Sequence, residues 1–188
     1  MESINILGVR VDCATYDMLL ARVDDFVASR APHQVVTLNP EMLVAAHDDP
    51  AFRQALNAAD LNVADGIGLL LAARLLGRPL PGRVTGSDGI YHLAAHAAQR
   101  GYRPFFLGAA PGVAEEVARR LAAAYPGLQV AGTFAGSPAP ADEPGILARI
   151  HAAAPDILLV AYGVPAEEKW IARNRTRLGV PVMIGVGG

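Results

Sequence analysis

Apolar and polar positions change period several times along this chain, and each change marks an element. In residues 15–29, Leu19, Leu20, Val23, Phe26 and Val27 share one stripe while Arg22, Asp24 and Asp25 fall elsewhere. That 3.6-residue period predicts an amphipathic helix. Residues 4–11 alternate weakly, as an edge strand or hairpin arm does, and residues 34–38 read as a β-branched strand. Asn39-Pro40-Glu41 then opens a helix, with Asn as cap, Pro at its first position and Glu in its first turn. Pro50-Ala51-Phe52 starts another short helix. Residues 62–64 form a short buried strand, followed by a helix that stops at Gly77. A loop over 77–87 leads to a helix over 88–100 that ends at Gly101.

From Arg103 onward, strands over 103–107, 128–133, 157–162 and 182–186 alternate with helices over 113–125, 146–153 and 167–178, and Pro138-Ala139-Pro140-Ala141 marks a surface loop. Alternation of this kind calls for a parallel sheet covered on both faces. The expected fold is α/β: a Rossmann-like, largely parallel sheet with helices on both faces, in a single domain over 1–188. Connections are short, and neither a linker nor an internal repeat interrupts the pattern.

Composition narrows the function classes. The chain has 188 residues, of which 52% are hydrophobic and 18% charged, too apolar for disorder. A net charge of -2 argues against a generally basic nucleic-acid binder. Cys13 is the only cysteine, which excludes an internal disulfide and a Cys-based zinc site. No apolar run is long enough to span a bilayer, and Met1-Glu2-Ser3-Ile4 does not open a signal peptide. The closing Gly185-Val186-Gly187-Gly188 reads as a strand leading into a further loop and helix, so a truncated chain is expected.

Five segments could carry chemistry. Asn62-Val63-Ala64-Asp65-Gly66-Ile67-Gly68 puts a carboxylate on a glycine turn at the end of a strand, where open α/β sheets hold their ligands. Asp-Gly is also ordinary turn chemistry, and this segment alone favours that reading. Gly82-Arg83-Val84-Thr85-Gly86-Ser87-Asp88 offers a guanidinium, approachable backbone and hydroxyls just before a helix, a natural phosphate or diphosphate site; a loop capped by Ser87 or Asp88 explains it equally well. Leu107-Gly108-Ala109-Ala110-Pro111-Gly112 is a strand, glycine loop and helix, but lacks the full dinucleotide pattern. In Tyr162-Gly163-Val164-Pro165-Ala166-Glu167-Glu168-Lys169-Trp170, the two carboxylates sit where a helix N-terminus favours negative charge. Thr37 and Asn39 point the same way from a strand end, able to bond a sugar or phosphate, with a plain cap as the alternative for Asn39. His92 and His96 have chelating spacing but no accompanying Glu or Cys, and read as a solvated helix face.

The order of these segments is more specific than any one of them. Thr37-x-Asn39, Ala64-Asp65-Gly66-Ile67-Gly68, Arg83-Val84-Thr85-Gly86-Ser87-Asp88, Leu107-Gly108, Tyr125-Pro126-Gly127, residues 155–160, Gly163-x-Pro165-x-x-Glu168-x-Trp170 and Gly185-Val186-Gly187-Gly188 together resemble the WecG/TagA/CpsF family of bacterial glycosyltransferases. The resemblance runs from about Thr37 to the end of the chain. It implies an inverting transferase that moves a hexose or N-acetylhexosamine, N-acetylmannosamine or glucose, from a UDP-sugar to a polyprenyl-diphosphate-linked saccharide. The setting it implies is cell-wall, capsule or exopolysaccharide synthesis at the inner face of the bacterial plasma membrane. No metal or other cofactor and no nucleic acid is expected, while a homo-oligomer is possible.

Carried over by position, Asp65 resembles the general base and Arg83 the residue near the leaving diphosphate. Thr37, Asn39, Gly66, Thr85, Ser87, Gly108, Gly163 and Glu167 resemble the substrate-binding set. Two departures stand out. Glu167 occupies the place of a usual Gln, and Ala166 that of a common Lys. A carboxylate only accepts where an amide also donates, which points to a plain hexose donor such as glucose. The family's aromatic and basic C-terminal tail, which helps to close the site and reach the membrane, does not follow Gly188. The competing expectation is a nucleotide- or dinucleotide-binding module without transferase activity.

Overall fold

A computed structural model describes residues 1–187. An antiparallel hairpin of β1 (Ser3–Ile6) and β2 (Val9–Asp12) precedes α1 (Tyr16–Ser29), whose N-cap Thr15 accepts the Met18 N–H. The chain then runs through β3 (His33–Leu38), α2 (Pro40–Asp48), α3 (Pro50–Ala58), β4 (Leu61–Ala64), α4 (Ile67–Leu75) and α5 (Gly86–Arg100). It continues with β5 (Pro104–Gly108), α6 (Val113–Ala124), β6 (Gly132–Phe134), a 3-10 turn (Pro140–Asp142), α7 (Glu143–Ala153), β7 (Ile157–Ala161), α8 (Ala166–Leu178) and β8 (Val182–Gly185).

The six strands from β3 onward form one parallel sheet in the order β4-β3-β8-β7-β5-β6. Their apolar side chains alternate between the faces, as the two-residue strand period requires. Val35, Val63, Phe106, Leu159 and Ile184 join α1, α5 and α6 in one core layer. Val36, Leu38 and Ala64 pack on the opposite face with the hairpin, α2, α3 and α4. Phe105, Leu107, Leu158, Val160 and Met183 meet α7 and α8, with Trp170 and Ile171 fully buried there. Because every strand in a parallel sheet points the same way, the ends of β3, β4, β5, β7 and β8 share one rim.

Several boundaries differ from the sequence reading, α7 among them, which starts at Glu143 rather than Ile146; two have a clear physical cause. The strand expected over 128–133 shrinks to β6, because Leu128 donates its N–H to the Tyr125 carbonyl and stays in a turn. The edge also needs Gly132, where a Cβ would meet the Phe105 ring at 2.7 Å. Helix α5 starts at Gly86 rather than Asp88, because Thr85, not Ser87 or Asp88, is its cap. The Thr85 hydroxyl accepts the Asp88 N–H at 3.2 Å.

Candidate functional site

At the rim, the ends of β3, β4 and β8 enclose a cleft of about 220 Å³ with the start of α5 and the β7–α8 turn. Thr37, Asn39, Asp65, Gly86, Ser87, Val164, Glu167, Glu168 and Gly187 line it. Asp65 follows the last residue of β4, and its own N–H donates to the Leu38 carbonyl of the neighbouring strand at 2.6 Å. Its Oδ2 accepts the Gly86 N–H at 3.0 Å, which pins the carboxylate against the positive end of α5. Its other oxygen takes no hydrogen bond from the described residues. Thr37 reaches the same corner: a Cβ on Gly86 would lie 3.1 Å from Thr37 Oγ1 and 3.8 Å from Asp65 Oδ2. Gly86 therefore lets the helix end approach both side chains.

Asn39 does two things. Its Oδ1 caps α2 by accepting the Met42 N–H at 2.9 Å, and the residue also lines the cleft. The cap explains its place after β3, and the side-chain NH₂ keeps its donors for a ligand.

The far wall is a pair of buried carboxyls. Glu167 and Glu168 are each only 2% exposed. Glu167 Oε2 accepts the Tyr162 and Gly163 N–H groups at 3.2 and 3.0 Å, and Oε1 accepts that of Gly187 at 2.9 Å. This side chain thus ties the β7–α8 turn to the end of β8. Glu168 Oε2 is buried with no hydrogen-bond partner. Burial, more than anything else, raises both pKa values; the Glu167 charge adds to the effect on Glu168, which is pushed up to about 8. Gly185 makes room for the pair, since a Cβ there would lie 2.7 Å from Glu168 Oε1 and 2.9 Å from Glu167 Oε1.

The remaining sequence candidates lie around the cleft rather than in its walls. Arg83 is exposed and forms no ion pair with a described residue. Its neighbour Val84 donates to the Ala64 carbonyl at 2.8 Å, so Arg83 and Asp65 each sit one residue from that bond. Thr85 is buried, and its hydroxyl is committed to Asp88 and Tyr16. The Tyr16 hydroxyl in turn accepts the Thr85 N–H at 2.9 Å. A direct ligand contact from that hydroxyl is therefore replaced by a loop-bracing role. Gly66 takes φ +99 as the N-cap of α4, and Gly163 presents its N–H to Glu167.

Gly108 lines a second, apolar cavity of about 270 Å³ with Phe106, Ile90, Val113 and Leu159. It adjoins the cleft through the shared Val186 and Gly187. At φ +102, a side chain on Gly108 would run into the Ala161 carbonyl, so close packing of β5 on β7 accounts for this glycine. Gly188 lies outside the described residues. His92 is exposed, as expected of a solvated helix face, and stacks on Tyr16, whereas His96 is half-buried and bonds Asp24 at 2.7 Å, so that ring braces α5 on α1 instead. No group of three or more His, Cys, Asp or Glu that could hold a metal occurs among the described residues.

The sequence reading missed Glu168, Val164 and Gly187 as wall residues. The Glu-Glu doublet was the available signal for the first. Its burial depends on β8, which the local pattern does not reveal.

The chain is 35% identical over 154 residues to an N-acetylglucosaminyldiphosphoundecaprenol N-acetyl-beta-D-mannosaminyltransferase of Bacillus spizizenii, covering 82% of this chain and 59% of that protein. It is 30% identical over 189 residues to the protein of the same name in Staphylococcus aureus MRSA252, covering 98% of this chain and 73% of that protein. The match to the model of the glycosyl transferase WecG/TagA/CpsF family runs over residues 4–188, and the chain belongs to that family.

Proposed function

We propose that this chain transfers a hexose or N-acetylhexosamine from a UDP-sugar to a polyprenyl-diphosphate-linked saccharide, with inversion at the anomeric carbon. The observation that carries the reading is the anchored Asp65 carboxylate, which holds the Gly86 N–H on one oxygen and lines the cleft at the sheet rim. In this role Asp65 takes the proton of the acceptor hydroxyl as that oxygen attacks the sugar. The UDP leaves from the opposite side in the same displacement, which inverts the centre.

Arg83 and Ser87 border the start of α5, a suitable place to offset the charge that grows on the departing diphosphate. The adjoining apolar cavity suits the flat base of a nucleotide. Thr37 and the Asn39 amide supply hydroxyl and NH₂ groups for the sugar or acceptor phosphate. Both Glu167 oxygens are committed to backbone N–H groups, so the Glu-for-Gln difference bears less on the donor than the sequence suggests. Together with the names of the relatives, this favours UDP-N-acetylmannosamine over UDP-glucose.

UDP release with a lipid-diphosphate acceptor, measured for both donors on this chain and on Asp65→Asn, tests the proposal. Turnover that the substitution abolishes supports it. NAD binding with no UDP affinity would favour a dinucleotide-binding module instead.

A further inference from the structure

Helix α4 begins two residues after Asp65, and its outer face is apolar. Ile67, Leu71 and Leu75 recur at four-residue intervals and are 64%, 55% and 88% exposed; Leu76 follows at 58%. The inner face carries Leu69 and Ala73, which are buried, so the helix has already satisfied its core packing. An outer face of large aliphatic side chains on a nine-residue helix is not needed for folding.

Within the chain segment that carries this stripe, the charges have one sign. Residues 66–87 contain Arg74, Arg78 and Arg83 and no Asp or Glu. None of the three arginines forms an ion pair with a described residue. The chain as a whole is slightly acidic, at -2, so this run is a local departure. The loop after α4 returns to the rim, where Val84 bonds Ala64 next to Asp65.

We propose that the outer face of α4 docks on an anionic phospholipid surface, with Ile67, Leu71 and Leu75 entering the headgroup boundary and Arg74 and Arg78 meeting lipid phosphates. Aliphatic residues beside unpaired cations are the combination that binds such an interface. A second copy of the chain is a poorer occupant, because a two-fold contact through this face would set the same arginines against one another. The location beside the cleft rests on the proposed function: a lipid-linked acceptor stays in the membrane, so the rim must be brought to it.

The test is co-sedimentation of the full chain with vesicles of phosphatidylglycerol or of phosphatidylcholine, with the oligomeric state measured by analytical ultracentrifugation. The expected result is binding to the anionic vesicles, lost at least tenfold in Leu71→Ser/Leu75→Ser and weakened roughly fivefold for each of Arg74→Gln and Arg78→Gln. UDP release with a short-chain, water-soluble acceptor should be unchanged in these variants. Equal binding to both lipids, equal binding by the variants, or a wild-type dimer that Leu71→Ser/Leu75→Ser makes monomeric would each overturn the proposal. Anionic-vesicle binding that needs Leu71 and Leu75, in a chain that releases no UDP with any acceptor, would support the docking surface while refuting the transferase reading.

Discussion

Asp65 Oδ2 and the Gly86 N–H, 3.0 Å apart, join the end of β4 to the first residue of α5 across helix α4 and a loop whose residues 76–83 are exposed or half-buried and whose last two, Val84 and Thr85, are buried. One hydrogen bond thereby fixes the carboxylate and the helix end that faces the same cleft. Asp65→Asn separates position from chemistry, because the amide oxygen still accepts the Gly86 N–H while the side chain loses its basicity. Turnover should fall by about 10²–10⁴-fold, the usual contribution of a positioned base. The melting temperature should stay within a few degrees of the parent. UDP release and thermal unfolding on the same preparations check both halves, and retained turnover would remove Asp65 from the mechanism.

Arg83 gives the complementary case. It is exposed and has no ion-pair partner among the described residues, so the folded chain makes little use of its charge. Arg83→Ala should leave thermal unfolding unchanged and lower UDP release by about 10²–10³-fold, as expected for lost stabilisation of a developing anion. A loss confined to KM would instead mean that the guanidinium binds ground state and transition state alike.

The contrast between these residues and the carboxyl pair explains how far the sequence could be read. Asp65 was legible because Asp-Gly after a buried run marks a strand end, and strand ends in parallel sheets gather at one rim. The Asn39-Pro40 start of α2 and the Gly101 stop of α5 were equally local signals, and both hold in the structure. Thr85 was harder, since any of three neighbouring polar residues could cap the helix and only the contact with Tyr16 on α1 favours one. Glu167 and Glu168 were hardest. In sequence they sit in a first helical turn, where exposure and a favourable dipole are the simplest account. Their burial comes from the close approach of Gly185 and Gly187, a contact set by strand order.

Gly185 can be tested directly. A methyl group there would lie under 3 Å from an oxygen of each glutamate. Both carboxyls would have to move, and Glu167 would lose its grip on Gly187. Gly185→Ala should cost about 1–3 kcal/mol, in the range of core overpacking. Chemical denaturation measures this, and an unchanged midpoint would mean that the wall relaxes freely.

The pair should also write itself into the pH dependence of stability. Burial holds Glu168 protonated to about pH 8, against an ordinary value of 4.5, and raises Glu167 as well. Between those limits the unfolded chain has released the Glu168 proton and the folded chain has kept it, so the folded state binds more protons. Stability then declines as pH rises through this window and levels off above it. Thermal unfolding from pH 5 to pH 8.5 should show a falling melting temperature. Glu168→Gln, which mimics the neutral acid, should flatten the Glu168 part of that slope, leaving any contribution from Glu167. If the slope is the same in both proteins, the decline arises elsewhere and Glu168 is not the group that holds the proton.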